Sequence, residues 1–217
     1  MIKTIFFDFD GVLAESVEIK TQAFRNLYLP YGEEIAQNVV NHHLENCGIS
    51  RFEKFKIYQE IFLNAPLDDY EMAKLTKHFS SFVLEGVINS IEVKGAFDFL
   101  KKNKKDFKYY IITGTPTEEM KFILEKRNIA NFFKEVYGSP TKKTEWSEYI
   151  IEKECLDRKS IVFIGDALVD YEAAKNSSID FILRETEENS SLFNFFSGQR
   201  IKDMTELEQA IKNLSEF

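Results

Sequence analysis

The sequence contains little cysteine, and the cysteine it has follows no functional pattern. Cys47 and Cys155 are the only two cysteines among 217 residues, and their separation matches no metal-binding or redox spacing. Sites built on paired cysteines are therefore excluded. We expect both to be reduced thiols in a cytoplasmic protein.

The sequence also lacks long apolar runs and an excess of positive charge. No apolar stretch reaches the ~18 residues of a membrane-spanning helix, and Met1 leads straight into a predicted strand, so we expect no targeting segment. The formal net charge is −8 and the pI about 5.1, whereas nucleic-acid binders present a basic face. We expect neither a membrane nor a nucleic acid as a partner.

The sequence does contain ample apolar material for a packed core. Hydrophobic residues make up 44% of the chain and include 21 phenylalanines, which argues against disorder. Alternation of strand-like runs with helical patterns is typical of a parallel sheet covered by helices on both faces. We expect an α/β fold with a Rossmann-like core, whose strand-like runs are Ile5–Phe7, Tyr109–Ile112, Glu135–Tyr137, Ile161–Ile164 and Phe181–Leu183.

Residues 15–90 show helical periodicity throughout and contain no β-rich run. Breaks at Pro30, Gly32, Gly48 and Pro66 divide them into about four predicted helices. We predict that these helices form a bundle inserted into the sheet domain. The predicted division is a core domain of residues 1–14 and 91–217 and a helical cap domain of residues 15–90, lying over the end of the first strand.

Two carboxylates follow the first strand. Asp8 and Asp10 come directly after the apolar run and before Gly11. Ligands bind at the carboxyl edge of open α/β sheets, and an acid pair there attracts Mg²⁺, which takes one or two protein carboxylates together with substrate phosphate oxygens. Taken alone, such a pair is more often a turn or a helix cap than a functional site.

The second strand end carries a hydroxyl and a glycine. Thr113 and Gly114 end an apolar run, and Thr115 with Glu118 has the pattern of a capping box at the start of the next helix. A hydroxyl and a glycine N–H beside a helix N-terminus suit a bound phosphate. An ordinary strand-to-helix turn explains the same residues.

Two later strand ends supply a lysine and a second pair of acids. Asp166 follows a strand and a glycine, and Asp170 lies four residues on, about one helical turn. Asp166 should share the sheet edge with Asp8, which makes a shared cation plausible. The spacing after the preceding strand favours Lys143 as the balancing cation, although the adjacent Lys142 stays open.

Together these four strand ends resemble the motifs of the haloacid dehalogenase superfamily, in its phosphoglycolate phosphatase and β-phosphoglucomutase-like subgroup with a helical cap. Asp8-Phe9-Asp10-Gly11-Val12-Leu13 resembles the first motif, Thr113 the second and Lys143 the third, while Gly165-Asp166 through Asp170 resembles the fourth. The resemblance covers nearly the whole chain.

This resemblance implies a Mg²⁺-dependent phosphatase that works through an aspartyl-phosphate. Asp8 would be the nucleophile and Asp10 the general acid and base. Thr113 and the Gly114 N–H would hold the transferring group, which Lys143 would neutralise. The implied Mg²⁺ ligands are Asp8, the backbone carbonyl of Asp10 and Asp166, while Asp170 would bind the ion as well or orient a ligand or Lys143.

Asp10 also bears on the alternatives within the family. Dehalogenases expel a halide that needs no proton and generally lack this acid, so Asp10 favours phosphate substrates. A hexose phosphomutase stays open, although Lys20 stands where similar mutases have a histidine. A catalytically inactive binding or regulatory protein is the third hypothesis, against which the intact acid pair, threonine and lysine argue.

The cap is expected to select the substrate. Gly48-Ile49-Ser50-Arg51 resembles the cap loop that reaches the site in similar enzymes, so Arg51 could bind a second anionic or hydroxylated group, and Lys20 is a comparable candidate. Lys54, one turn later, is better explained by a solvated helix face. We expect a small phosphate ester as the partner and a monomer or weak dimer.

Overall fold

A computed structural model describes residues 1–214 and shows an α/β fold. Within these residues six strands form one parallel sheet. The strands are β1 (Thr4–Phe7), β2 (Lys108–Pro116), β3 (Phe133–Ser139), β4 (Ile161–Gly165), β5 (Asp180–Arg184) and β6 (Gln199–Ile201). The α/β prediction is confirmed.

The α-helices of the described residues fall into two groups. Those after the cap alternate with the strands and cover the sheet, and they are α5 (Ala96–Asn103), α6 (Thr117–Lys126), α7 (Lys143–Lys153), α8 (Leu168–Asn176) and α9 (Leu207–Leu214). Those of the cap lie between β1 and α5, and they are α1 (Val17–Tyr28), α2 (Glu33–Glu45), α3 (Arg51–Ile57) and α4 (Asp69–Asn89).

The strand order β3-β2-β1-β4-β5-β6 makes β1 a central strand. The chain adds strands on one side of β1 and then on the other, so its topological switch point lies between β1 and β4. In open α/β sheets ligands bind outside the carboxyl ends of the strands at such a point. The residues that follow β1 and β4 therefore face each other across the expected ligand crevice.

Packing on both faces of the sheet fixes the register of β1. All four of its residues are buried: Phe6 packs in one apolar cluster, whereas Ile5 and Phe7 pack in another on the opposite face. A slip of one residue would exchange these faces. The register therefore determines that Asp8 follows at the carboxyl edge.

Two of the cap helices, α3 and α4, begin at side-chain caps, and the cap packs on an aromatic core. The Ser50 hydroxyl accepts from the Glu53 N–H at the start of α3, and the Asp68 carboxylate does the same at α4. The rings of Phe24, Phe55 and Phe79 contact one another. The predicted helical bundle is confirmed, and it is inserted directly after the end of β1.

Candidate active site

Three strand ends bring buried charged side chains together. The Lys143 ammonium lies 2.8 Å from the Asp8 Oδ2 and 2.6 Å from the Asp170 Oδ1. Asp166, after β4, joins them: carboxylate oxygens of Asp8, Asp166 and Asp170 lie within 4.8 Å of one another. Residues far apart in the sequence thus form one cluster at the predicted sheet edge.

The two adjacent lysines have different surroundings. Lys143 is only 6% exposed, whereas Lys142 precedes α7 and is exposed. Burial lowers the pKa of Lys143, but the carboxylates of Asp170 and Asp8 outweigh burial and hold its pKa above the ordinary value. Lys143 therefore remains charged among the acids.

The three carboxylates carry more negative charge than one lysine balances. Burial, together with the charges of Asp8 and Asp170, raises the pKa of Asp166 well above its ordinary value. Burial raises the pKa of Asp170 to about 7, even though Lys143 lowers it. A clustered set of carboxylate oxygens with excess negative charge fits a hard divalent cation such as Mg²⁺.

The loop after β1 runs directly against this cluster. Gly11 has a φ of +74°, and a Cβ at this residue would lie 2.2 Å from the Asp166 Oδ2. Only glycine accommodates both the left-handed backbone and this close approach. The backbone that follows Asp10 is therefore held beside the acids.

Binding of Mg²⁺ is expected to release protons and to weaken as the pH falls through the pKa of Asp170. The ion requires ionised carboxylates, whereas the pKa of Asp170 is raised to about 7 and that of Asp166 is raised well above its ordinary value. Calorimetric titrations in buffers of different ionisation enthalpy measure the proton release per bound ion. Binding without proton release on either side of neutral pH would contradict this prediction, and Asp170→Asn should reduce the release.

Asp10 lines the same cavity as Asp8 and Asp166 and is held by residues at the start of the cap. Its carboxylate contacts the Lys20 ammonium and accepts a hydrogen bond of 2.6 Å from the Ser16 hydroxyl. The Thr115 hydroxyl accepts from Lys20 at 2.8 Å and lies 3.3 Å from the Asp10 Oδ2. Burial raises the pKa of Asp10, but Lys20 and Ser16 outweigh burial and hold its pKa below the ordinary value.

The capping box predicted at Thr115 and Glu118 is wrong. Helix α6 begins at Thr117, its N-cap residue is Pro116, and no side chain caps it. Strand β2 continues to Pro116. Because Thr115 belongs to this strand, its hydroxyl contacts Asp10 and Lys20 and does not cap the helix.

Thr113 and Gly114 lie where the cap loop presses on the core. The Thr113 side chain is buried and accepts a 3.2 Å hydrogen bond from the Thr115 N–H. A Cβ on Gly114 would lie 2.6 Å from the Gly48 carbonyl oxygen. The cap loop therefore meets the core at the end of β2, beside the acid cluster.

Arg51 is engaged by the core. Its guanidinium donates to both Glu119 carboxylate oxygens, at 2.9 and 2.5 Å, and to the Ser80 hydroxyl at 2.7 Å. Burial raises the pKa of Glu119, but the hydrogen bonds and charge of Arg51 outweigh burial and hold its pKa below the ordinary value. This ion pair joins α3 of the cap to α6 of the core.

One cavity connects the acids with the cap. It has a volume of about 50 Å³, whereas sites for drug-sized ligands hold ~300–1,000 Å³. Its lining includes the acids Asp8, Asp10 and Asp166 and the basic residues Lys20, His43, Arg51 and Lys54. In this arrangement the cap leaves room for a small ligand only.

Several residues of the site carry no sequence motif. Asn189 donates from its side chain to the backbone carbonyls of Asp166, at 2.8 Å, and Arg184, at 3.0 Å, which holds the loop after β4. The Ser16 hydroxyl donates to Asp10, and the Glu119 carboxylate accepts from Arg51. The only signal for Ser16 was its position shortly after Asp10, and Asn189 and Glu119 had none.

Comparison with known proteins gives a family match. The sequence model described as Haloacid dehalogenase-like hydrolase matches residues 5–184. The phosphoglycolate phosphatase of Vibrio cholerae is 26% identical over 187 residues, covering 81% of each chain. That of Vibrio vulnificus is 25% identical over 190 residues, covering 81% of this chain and 80% of its own.

Solved structures show the same fold. The crystal structure of β-phosphoglucomutase from Clostridium difficile matches with a TM-score of 0.80 at 17% identity, covering 100% of this chain and 98% of its own. At this identity the likeness is one of fold alone.

No helix of residues 1–214 combines the length and apolar character that crossing a membrane requires.

Proposed function

Because the chain belongs to the haloacid dehalogenase-like hydrolase family, we propose that it is a Mg²⁺-dependent phosphatase that acts through an aspartyl-phosphate. Family membership and the phosphatase names of its relatives indicate a phosphoric monoester hydrolase. The observation that carries the finer proposal is the Lys143 ammonium between Asp8 and Asp170, with Asp166 beside them.

Asp8 is the proposed nucleophile. The Phe9 N–H donates to its Oδ1 at 2.7 Å, and Lys143 lies at its Oδ2, so the carboxylate is held in place. Its oxygen would bond to phosphorus as the bond from phosphorus to the alcohol oxygen breaks. Bound Mg²⁺, held by Asp8, Asp166, Asp170 and the Asp10 carbonyl, would neutralise the phosphoryl oxygens.

Asp10 is the proposed general acid and base. It would give a proton to the departing alcohol oxygen and later take one from the water that attacks the aspartyl-phosphate. To take the proton from water, Asp10 must be ionised, and its lowered pKa favours this form. The first step needs the protonated form, which an arriving phosphate favours because its negative charge raises the pKa of a nearby carboxyl.

Thr113, Gly114 and Lys143 are the proposed ligands of the transferring group. Phosphoryl transfer passes through a loose transition state, so positioning and charge stabilisation are the main contributions of the protein. Lys143 is buried and charged at the nucleophile, and Thr113 lies at the adjacent strand end. Catalysis would leave free phosphate and an unmodified Asp8.

The proposed substrate is a small phosphorylated acid of the phosphoglycolate type. Two curated relatives are named phosphoglycolate phosphatases, and the cavity of about 50 Å³ beside the acids favours a ligand with few atoms. The phosphomutase alternative is weakened because Lys20, rather than a histidine, contacts Asp10.

A panel of phosphate esters tests the proposed function. The wild-type protein is assayed for phosphate release from phosphoglycolate, short polyol phosphates and hexose phosphates, with Mg²⁺ and after chelation. We expect Mg²⁺-dependent release that is fastest with phosphoglycolate. Conversion of glucose 1-phosphate to its 6-phosphate isomer, stimulated by a bisphosphate, would support the mutase, and no turnover on any ester would support an inactive binding protein.

A further inference from the structure

Lys54 is a buried cation without an acidic partner among residues 1–214. Its side chain is only 1% exposed, although it lies on a helix of the cap. The ammonium contacts the His43 Nδ1 and lies 5.3 Å from the centre of the Phe24 ring. An unpaired buried charge is costly, so its presence beside the active-site cavity requires an explanation.

The other cations around the cavity are already neutralised. Lys20 contacts Asp10, and Arg51 pairs with Glu119. Lys143, at the acid cluster, lies between Asp8 and Asp170. Lys54 is therefore the uncompensated positive charge of the site.

The titratable neighbours of Lys54 do not balance its charge. Burial and the nearby lysines lower the pKa of His43 well below its ordinary value, so its ring is neutral and its Nδ1 accepts from Lys54. Burial raises the pKa of the Cys47 thiol to about 11, so it stays protonated. Burial also lowers the pKa of Lys54 to about 7, which an anion bound beside it would raise again.

His43 has a buried ring nitrogen that lacks a hydrogen-bond partner among residues 1–214. It is 5% exposed and lines the same cavity, and its Nε2 has no hydrogen-bond partner in the described part of the chain. With Nδ1 accepting from Lys54, the Nε2 must carry the hydrogen. A buried ammonium and an unused N–H donor thus occur together on the cap side of the cavity.

We propose that Lys54, held by His43, binds a carboxylate of the substrate at the end remote from the phosphate and so selects phosphorylated acids. This inference rests on the proposed phosphatase function and extends it to a residue that determines specificity. Asp8 and the acid cluster lie on the core side of the cavity and Lys54 on the cap side, so a short molecule with an anion at each end would meet both.

The test compares the binding of two ligands that differ in one group. Phosphoglycolate and 2-hydroxyethyl phosphate are similar in size, but only the first carries a carboxylate. Calorimetric titrations with Mg²⁺ present use Asp8→Asn protein, which prevents turnover, with and without Lys54→Met. The pH is kept below the pKa of Lys54, so that the amine is charged.

Lys54→Met is expected to weaken phosphoglycolate binding roughly 10- to 100-fold, the range of a buried charged hydrogen bond. Binding of 2-hydroxyethyl phosphate should change by less than about threefold. Methionine keeps the length of the side chain and suits the apolar surroundings, and a melting curve checks the fold. Lys56→Met, at an exposed position of the same helix, should leave both affinities unchanged.

Equal loss of both ligands, no loss of either, or no phosphoglycolate binding before the substitution would overturn the proposal. The Lys54 proposal can fail or succeed independently of the proposed phosphatase function, because binding is measured without turnover. Selective binding through Lys54 in a protein whose wild type releases no phosphate would refute hydrolysis and leave Lys54 as an anion-binding residue.

Discussion

Replacing Asp8 with asparagine is expected to lower the rate of phosphate release at least about 10⁴-fold, as removal of a catalytic nucleophile does in other enzymes. An amide oxygen is a far weaker nucleophile than a carboxylate. The substitution also removes one negative charge from the acid cluster. The Oδ1 of asparagine can still accept the hydrogen bond from the Phe9 N–H. The loss should therefore come from chemistry, with the fold retained.

Two measurements check the Asp8 prediction. Steady-state phosphate release from the best ester of the panel gives the rate, and acid quenching with labelled substrate should place a phosphoryl group on the peptide containing Asp8 in the wild type only. Asp98→Asn, an exposed position in the first turn of α5, is the matched control and should keep full activity. Comparable turnover by Asp8→Asn and the wild type would remove the nucleophile assignment.

Replacing Lys143 with methionine is expected to destabilise the protein by about 3–5 kcal/mol, the usual effect of removing one partner from a buried ion pair. Asp8 and Asp170 would remain buried without a cation. The acids raise the pKa of Lys143 above its value in the unfolded chain. On the alkaline side, its contribution is therefore present below the ordinary pKa of lysine and disappears as the pH rises beyond that range.

Urea unfolding without Mg²⁺ measures the effect of Lys143→Met, and the neighbouring residue provides the control. Lys142→Met removes the same charge one residue earlier at an exposed position and should change the free energy of unfolding by no more than about 0.5 kcal/mol. The loss at Lys143 should shrink below the pKa of Asp170, about 7, because the protonated Asp170 no longer needs a cation. A loss independent of pH would show that packing, and not charge, is responsible.

The fold could be predicted largely because its strands are short, apolar and separated by helical patterns. Each predicted strand is present, since burial on both faces requires the apolar runs that the sequence displays. Strand β6 was missed because Gln199-Arg200-Ile201 is short and largely polar, as an edge strand can be. Its identity depends on pairing with β5, which no local pattern reveals.

The site was predictable where a motif ends a strand and less so where a side chain acts across the molecule. Parallel strands bring their carboxyl ends to one edge, so Asp8 and Asp166 were expected to meet. Thr115 was misassigned because its local pattern fits a helix cap, whereas tertiary contacts extend β2 past it. The engagement of Arg51 by Glu119 depends on how the cap docks, which spacing along the chain does not encode.

The docking of α3 on α6 also bears on how often the site can open. If the cap separated from the core, the guanidinium of Arg51 and the carboxylate of Glu119 would regain water, which would offset most of the attraction they lose. This ion pair would therefore fix the orientation in which the cap docks on the core, while adding little to the free energy needed to separate them. Product phosphate could then leave without a large thermodynamic barrier at each cycle.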